Sequence, residues 1–443
     1  MNLQDVKTYE AAVEYCLEIP RFTGKNNMDI TRAFYEYLNK PGSHAKIVHV
    51  AGTNGKGSVC AFLQSICLQM HLSVGMFTSP HLCDIRERVR VDGVCIKKEE
   101  FLASFLSLAH KLFLFRDSRE EYRGYHPSFF EWLFFIGMLC FEKEKTDVIL
   151  LETGLGGRLD ATNCIDNPAL CIITKIGYDH MEYLGDTIEQ IAAEKAGIMK
   201  PQVPVVYLQD KEKADAVIEK KAHSLSSPLY FVSKTDADKI FFRNKHIDFS
   251  YKSRYYGYVR FTIGTTAFYQ VENAMVAIRA AEVLWGGCET LRADLLQKGI
   301  LAMHWDGRME EVLPHVFLDG AHNEDGIDAF LESVSRDGCQ GCRMLLFSVV
   351  CDKQYDKMGK KIMDSDLFSR IYTAPVDNAR GVGTEKLEQI FEDAEDARHA
   401  GTPQEALREM LKDRGALDFV YVAGSLYLVG QLKEWLESEK VPR

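Results

Sequence analysis

The sequence has no surplus of positive charge: 53 lysines and arginines against 64 aspartates and glutamates leave a formal net charge of −11. An acidic chain repels DNA, RNA and anionic lipid, so nucleic acid is not an expected partner, although a local basic pocket for phosphates fits within such a balance. A secretory leader is not expected either. The opening MNLQDVKTYEAAVEYCLE has no basic stretch followed by an apolar run and reads as an amphipathic helix, which predicts a cytoplasmic location. Long hydrophobic runs are absent. The most apolar stretch, Phe129 to Cys140, is too short to cross a bilayer and carries Glu131, so it predicts a buried helix and no membrane partner. There is no disulfide framework either: the twelve cysteines are scattered among apolar neighbours, as at Cys60, Cys67, Cys140 and Cys171, which suits reduced, buried thiols. The one CxxC, Cys339 to Cys342, lacks a second pair to complete a zinc site and reads as a turn beside two glycines. No low-complexity segment and no repeat at a solenoid or propeller period is found.

What is present is ordinary globular material in quantity. With 443 residues, 46% hydrophobic and 26% charged, the chain exceeds what one core usually organises, and two domains are expected. Short apolar runs at Lys46–Val50, Ser73–Thr78, Asp147–Glu152, Leu170–Thr174 and Val203–Leu208 alternate with amphipathic stretches, which predicts a mostly parallel α/β sheet. From Phe242 to Phe268 polar and aromatic residues alternate, with Gly257 and Gly264 as breaks, which predicts an antiparallel excursion followed by a helix over Val271–Leu284. The runs Val316–Asp319, Arg343–Val349, Ile371–Ala374 and Phe419–Ala423 predict a second, smaller α/β unit. The boundary is expected within 295–310, giving domains 1–303 and 304–443.

The strongest local signal is Gly52-Thr53-Asn54-Gly55-Lys56-Gly57-Ser58, between an apolar strand and a helix over Val59–Met70. Glycines let backbone N–H groups turn around phosphate oxygens, the helix N-terminus adds partial positive charge, Lys56 neutralises outer phosphates, and Ser58 reaches a magnesium ion. The spacing departs from GxxxxGK[ST], and a plain glycine turn is the alternative. Ser79, Glu152 and His180 each follow a strand, where ligands of open parallel sheets sit, and a hydroxyl, a carboxylate and an imidazole suit a hydrated magnesium holding ATP phosphates. Taken singly, each also reads as a turn, a surface charge or a helix start. Gly154-Leu155-Gly156-Gly157-Arg158-Leu159-Asp160 is expected to be a mobile loop over the site. Lys195, in Ala192-Ala193-Glu194-Lys195-Ala196-Gly197 of a helix over Asp186–Met199, lies among small residues that let something approach closely; a surface lysine paired with a glutamate is the alternative. Arg308 is suited to clamp phosphate oxygens and Asp319 to accept from a ribose or position an amine, while Asp319 or Asn323 alternatively caps the helix over Glu324–Val334.

In order and spacing, GTNGKGS, FTSPHL, RERVRVDG, LLETGLGGRLDATN, GYDHMEYLG, AAEKAGI, WDGRMEE, LDGAHN and VAGSLYLVG resemble the folylpolyglutamate synthase and dihydrofolate synthase family, within the Mur ligase superfamily, from about residue 20 to 430. The resemblance implies an amino-terminal phosphate-loop domain and a smaller Rossmann-like carboxy-terminal domain with ATP in the cleft between them. It implies that Gly52 to Ser58 hold the phosphates and that Asn273, Arg308 and Asp319 complete the ATP site. It also implies that Ser58, Ser79, Glu152 and His180 ligate Mg2+ with help from a carbamylated Lys195. Ser128, Phe129, Phe130, Glu131, Leu159, Asp160 and Ala161 fall where bifunctional members bind the pteroate group, and His322 is placed to orient the incoming amino acid. Two positions depart from the pattern: Tyr269-Gln270 stands where relatives often have His-Gln, which implies a different adenine-side contact, and Cys351-Asp352-Lys353-Gln354 only partly matches the usual Asp-Lys-Asp. The implied reaction adds L-glutamate to the carboxylate of a reduced folate through an acyl phosphate, with ATP as substrate, Mg2+ as cofactor and K+ as an optional addition. Whether dihydropteroate is also a substrate is left open. The rival readings are a muramyl-peptide amino acid ligase and a nucleotide-dependent switch. A monomer is expected, since the cleft supplies the whole site.

Overall fold

The computed structural model describes residues 3–19, 26–243, 245–286 and 291–439; the start of the family resemblance at residues 20–25 lies outside them. An eight-stranded sheet runs in the order β4-β3-β2-β5-β1-β6-β7-β8. Its strands are β1 Lys46–Ala51, β2 Val74–Phe77, β3 Val89–Val91, β4 Val94–Cys95, β5 Val148–Glu152, β6 Leu170–Ile173, β7 Val205–Leu208 and β8 Leu229–Val232. The central strands are apolar throughout because both faces are covered: β5 and β6 have every residue buried. One face packs on the helices Lys56–Gln69 and Gln270–Trp285, the other on Lys98–Ser118 and Phe129–Glu144. The last of these is the expected buried helix, and among the described residues no helix is long and apolar enough to cross a membrane.

Register is what positions the site. Val50 of β1 lies beside Glu152 of β5, Ala51 beside Ile173 of β6, and Phe77 of β2 beside Leu151. The carboxyl ends of four strands therefore finish level, and the loops carrying Gly52, Ser79, Glu152 and His180 emerge along one edge.

The antiparallel excursion is a separate three-stranded sheet of β9 Ala237–Arg243, β10 His246–Ser253 and β11 Gly257–Ile263, so it begins ahead of the expected Phe242. The second unit is a six-stranded sheet ordered β12-β13-β17-β14-β15-β16, from β12 Glu310–Leu313, β13 Val316–Leu318, β14 Arg343–Phe347, β15 Arg370–Thr373, β16 Ala397–His399 and β17 Phe419–Ala423. Its helices bury separate cores on its two faces. The CxxC lies in the irregular segment ahead of β14, with the free Cys339 thiol against the carbonyls of Gly341, Cys342 and Leu417.

The phosphate-loop helix begins at Lys56 and not at the expected Val59, because Gly55 takes a left-handed conformation (φ 89°) and closes the first turn with Val59 N donating to its carbonyl at 2.9 Å. Lys56, Gly57 and Ser58 are thereby first-turn residues, whose N–H groups have no partner within the helix and point outward. The helix holding Lys195 is shorter than expected at both ends, spanning Ile188–Ala196 behind a Thr187 cap.

Candidate active site

The loops that follow β1, β2, β5 and β6 and those that follow β13, β14 and β17 line one cleft of about 840 Å³. The residues expected to hold ATP, magnesium, the pteroate group and the amino acid all line it: Gly52 to Ser58, Ser79, Ser128 to Glu131, Glu152, Leu159 to Ala161, His180, Lys195, Asn273, Arg308, Asp319 and His322.

On the first wall, the phosphate loop is strapped to the chain beyond β6. Thr53 N donates to the Lys175 carbonyl (2.8 Å), the Thr53 hydroxyl donates to the Gly177 carbonyl (3.0 Å), and Thr174 Oγ1 donates to the Asn54 carbonyl (2.8 Å). Gly55 has no room for a side chain, since a Cβ would lie 2.3 Å from Asn273 Oδ1. Lys56 Nζ donates to the Thr53 carbonyl at 3.1 Å and sits 3.8 Å from Glu152 Oε1. Glu152 is buried and accepts from Ser79 N at 3.0 Å. Burial raises its pKa, opposed by the charges of Lys56, Arg308 and Arg88. The Ser58 hydroxyl accepts from Gln270 Nε2 at 3.1 Å. Burial pushes the His180 imidazole down to about 4, so it is neutral at physiological pH and offers a lone pair. Two hydroxyls, one buried carboxylate facing a single lysine and one neutral imidazole form a donor set that fits a hydrated magnesium ion.

Asp179, which the sequence reading passed over in favour of its neighbour, is the hub between the walls. Its carboxylate accepts from Lys353 Nζ (2.6 Å) and Asn323 Nδ2 (3.1 Å), with His322 Nε2 at 3.5 Å. Burial alone would raise its pKa, yet the hydrogen bond from His322 and the charge of Lys353 hold it well below the usual carboxylate range. Asn323 also exchanges hydrogen bonds with Asn54 at 3.1 Å while capping the helix Glu324–Ser335. Lys353 belongs to the segment that matched its family pattern only in part: Asp352 and Lys353 follow it, and Gln354 departs from it. Asp319 is not a helix cap: its carboxylate accepts from Tyr269 OH, Met309 N and Ala321 N, beside Arg308. His322 Nδ1 donates to the Gly320 carbonyl at 2.8 Å.

Hydrogen bonds fix the glycine-rich loop and two of the acidic residues expected in the folate site. The loop 154–160 is tethered: Asp160 Oδ2 accepts from Gly154 N and Leu155 N, both at 2.9 Å, and Arg158 N donates to the Glu194 carbonyl at 2.8 Å. Asp160 and Glu131 line the cleft but turn their carboxylates inward. Asp160 also accepts from Thr162, and Glu131 accepts from Asn26 Nδ2 (2.6 Å), Thr31 Oγ1 (2.6 Å) and Ser128 N (2.7 Å) as half of a capping box. The faces left toward the cleft are those of Phe129, which stacks under the Arg88 guanidinium (5.3 Å), Phe130 and Leu159. We expect Glu131→Ala to lower unfolding stability by about 3 kcal/mol, because buried donors lose their acceptor. Urea denaturation checks this, and an unchanged midpoint would return Glu131 to the role of ligand contact.

Lys195 is buried, and its Nζ donates to the Gly52 carbonyl at 2.8 Å. Small residues on both sides let the 154–158 loop approach: a Cβ on Gly197 would lie 2.4 Å from Arg158 Cβ, and one on Gly157 would lie 2.8 Å from the carbonyls of Glu194 and Lys195. Burial, then repulsion from Lys56, pushes the ammonium down to about 7. Elsewhere among the described residues, His304, Asp306 and Glu310 bring ligand atoms within 4.8 Å of one another, but Lys433 already stands 3.2 Å from Asp306 and 2.9 Å from Glu310.

Comparison with known proteins bears on the family and the fold. Residues 137–281 match the Mur ligase middle domain, and residues 307–426 match the Mur ligase glutamate ligase domain. The dihydrofolate synthase/folylpolyglutamate synthase of Bacillus subtilis (strain 168) is 33% identical over 411 residues, covering 90% of this chain and 92% of that protein. The folylpolyglutamate synthase of Lacticaseibacillus casei is 28% identical over 434 residues, covering 97% and 98%. The structure of E. coli FolC in complex with DHPP and ADP superposes with a TM-score of 0.84 at 25% identity, over 98% of this chain and 99% of that one.

Proposed function

The chain belongs to the dihydrofolate synthase/folylpolyglutamate synthase family, and from that premise we propose that it is an ATP-dependent ligase adding L-glutamate to the carboxylate of tetrahydrofolate. The observation that carries the reading is the single cleft in which the phosphate loop, the Glu152 carboxylate and the Asp319 and His322 wall converge. Gly52 to Ser58 take the phosphates, with Asn273, Arg308 and Asp319 completing the ATP site. Ser58, Ser79, Glu152 and His180 would hold magnesium with a carbamylated Lys195, and the bound ion would neutralise phosphate charge. Phe129, Phe130 and Leu159 offer an apolar bed to the pteroate group beside Ser128 and Ala161.

The folate carboxylate attacks the γ-phosphorus, ADP leaves, and an acyl phosphate forms. Lys56 Nζ and the first-turn N–H groups offset the charge on the transferring group. The amine of glutamate, oriented by His322, then attacks the acyl carbon, and the intermediate collapses to an amide with loss of phosphate. Asp179, through Lys353 and Asn323, holds the walls together, which excludes water from a group that it would hydrolyse. A division into 1–303 and 304–443, a monomeric state and a cytoplasmic location go with this reading.

The test is ADP release with ATP, magnesium and L-glutamate, given either tetrahydrofolate or dihydropteroate, with the product weighed by mass spectrometry. Release that needs both glutamate and tetrahydrofolate supports polyglutamylation, and activity with dihydropteroate adds dihydrofolate synthesis. Release independent of both acceptors would replace the ligase with the switch, and turnover only with a muramyl-peptide acceptor would favour the rival ligase.

A further inference from the structure

Asp319 is held by three donors, and one of them comes from the other half of the chain. The amides of Ala321 (2.8 Å to Oδ1) and Met309 (3.0 Å to Oδ2) are local, whereas the third is the Tyr269 hydroxyl, 2.5 Å from Oδ2. Burial keeps that hydroxyl far above its ordinary pKa, so it remains a proton donor. The next residue faces the opposite wall: Gln270 Nε2 donates to Ser58 Oγ at 3.1 Å, and its Oε1 accepts from Asn273 Nδ2 at 2.8 Å.

The backbone around this pair changes sides. Ala267 is buried in the core of the carboxy-terminal sheet, Phe268 N donates to Ser333 Oγ at 2.9 Å, and the Arg336 guanidinium lies 4.3 Å from the centre of the Phe268 ring. From Val271 onward the helix is buried in the core of the first sheet. Two adjacent side chains thus grip polar groups on the two walls of the cleft, at the point where the chain passes from one to the other.

We infer that Tyr269 is a positioning residue that aims the Asp319 carboxylate at ATP and, through its neighbour Gln270, ties that contact to the Ser58 side of the cleft. The inference rests on the ATP-dependent reading above. Phenylalanine fills the same space without donating, and histidine donates again from a ring of different shape.

Steady-state kinetics of the full chain, with thermal midpoints, test it. In Tyr269→Phe the KM for ATP is expected to rise about tenfold, the loss of one hydrogen bond to a charged acceptor, while kcat and the KM for glutamate stay close to wild type and the thermal midpoint falls by only a few degrees. Tyr269→His is expected to recover most of that rise. An unchanged KM for ATP in Tyr269→Phe overturns the inference, and so does a parallel fall of all kinetic parameters and the midpoint that histidine does not reverse. A wild-type chain that consumes no ATP with any acceptor would overturn the ligase reading itself.

Discussion

Lys56→Ala is expected to lower kcat about 1,000-fold while leaving a folded protein, the loss expected when a preorganised cation at the transferring phosphoryl group is removed. The expectation follows from where the side chain stands. Lys56 is the first residue of its helix, beside the unpaired first-turn N–H groups, with Nζ 3.1 Å from the Thr53 carbonyl and 3.8 Å from Glu152. It is the loop's only side-chain cation, so no neighbour in the loop can replace it. An arginine at 56 keeps the charge but presents a planar fork where a compact ammonium fits, so Lys56→Arg is expected to recover only part of the rate. Single-turnover ADP formation with tetrahydrofolate and glutamate measures the effect, with circular dichroism confirming the fold. Wild-type turnover in Lys56→Ala would remove the phosphate assignment.

Much of this arrangement was legible in the sequence, for a physical reason. Strands buried on both faces read as unbroken apolar runs, and polar residues directly after such runs have to emerge at the sheet's carboxyl edge, which is how Gly52, Glu152, His180 and Asp319 were found. What stayed hidden depends on contacts between distant segments. Asp179 and Lys353 are 174 residues apart and meet only because the two sheets point their carboxyl edges into one cleft. Strands as short as the two-residue β4 and the three-residue β16 carry too few side chains to show a period. Glu131 and Asp160 show a different limit. A motif names the residue but not the direction of its carboxylate, and both turn toward neighbouring N–H and O–H donors. Of the two cap candidates Asn323 is the one that caps, yet the same amide also joins Asn54 and Asp179, so a local role and a long-range role coexist in one side chain.

Lys195 carries the second large effect. Its amine is buried at 3% exposure, and with its pKa pushed down to about 7 a substantial fraction is uncharged at neutral pH. On the proposed reading this amine would attack the carbon of CO2, release one proton and become a carbamate, exchanging a repelled cation for an anion beside Lys56. The carbamate nitrogen keeps one N–H, so the hydrogen bond to the Gly52 carbonyl survives the change. The sign of the pH dependence follows from the lowered pKa: below about 7 the amine is protonated and unreactive, above it the amine is free, so reactivation by bicarbonate should be stronger at pH 8 than at pH 6. Lys195→Ala and Lys195→Arg are both expected to lower kcat about 100-fold or more, since neither can form the carbamate and arginine restores only a charge. Enzyme stripped of CO2 at low pH should lose activity and regain it with bicarbonate. Full activity in Lys195→Arg, or indifference of the wild-type chain to bicarbonate, would leave Lys195 as a packing residue that anchors the Gly52 carbonyl.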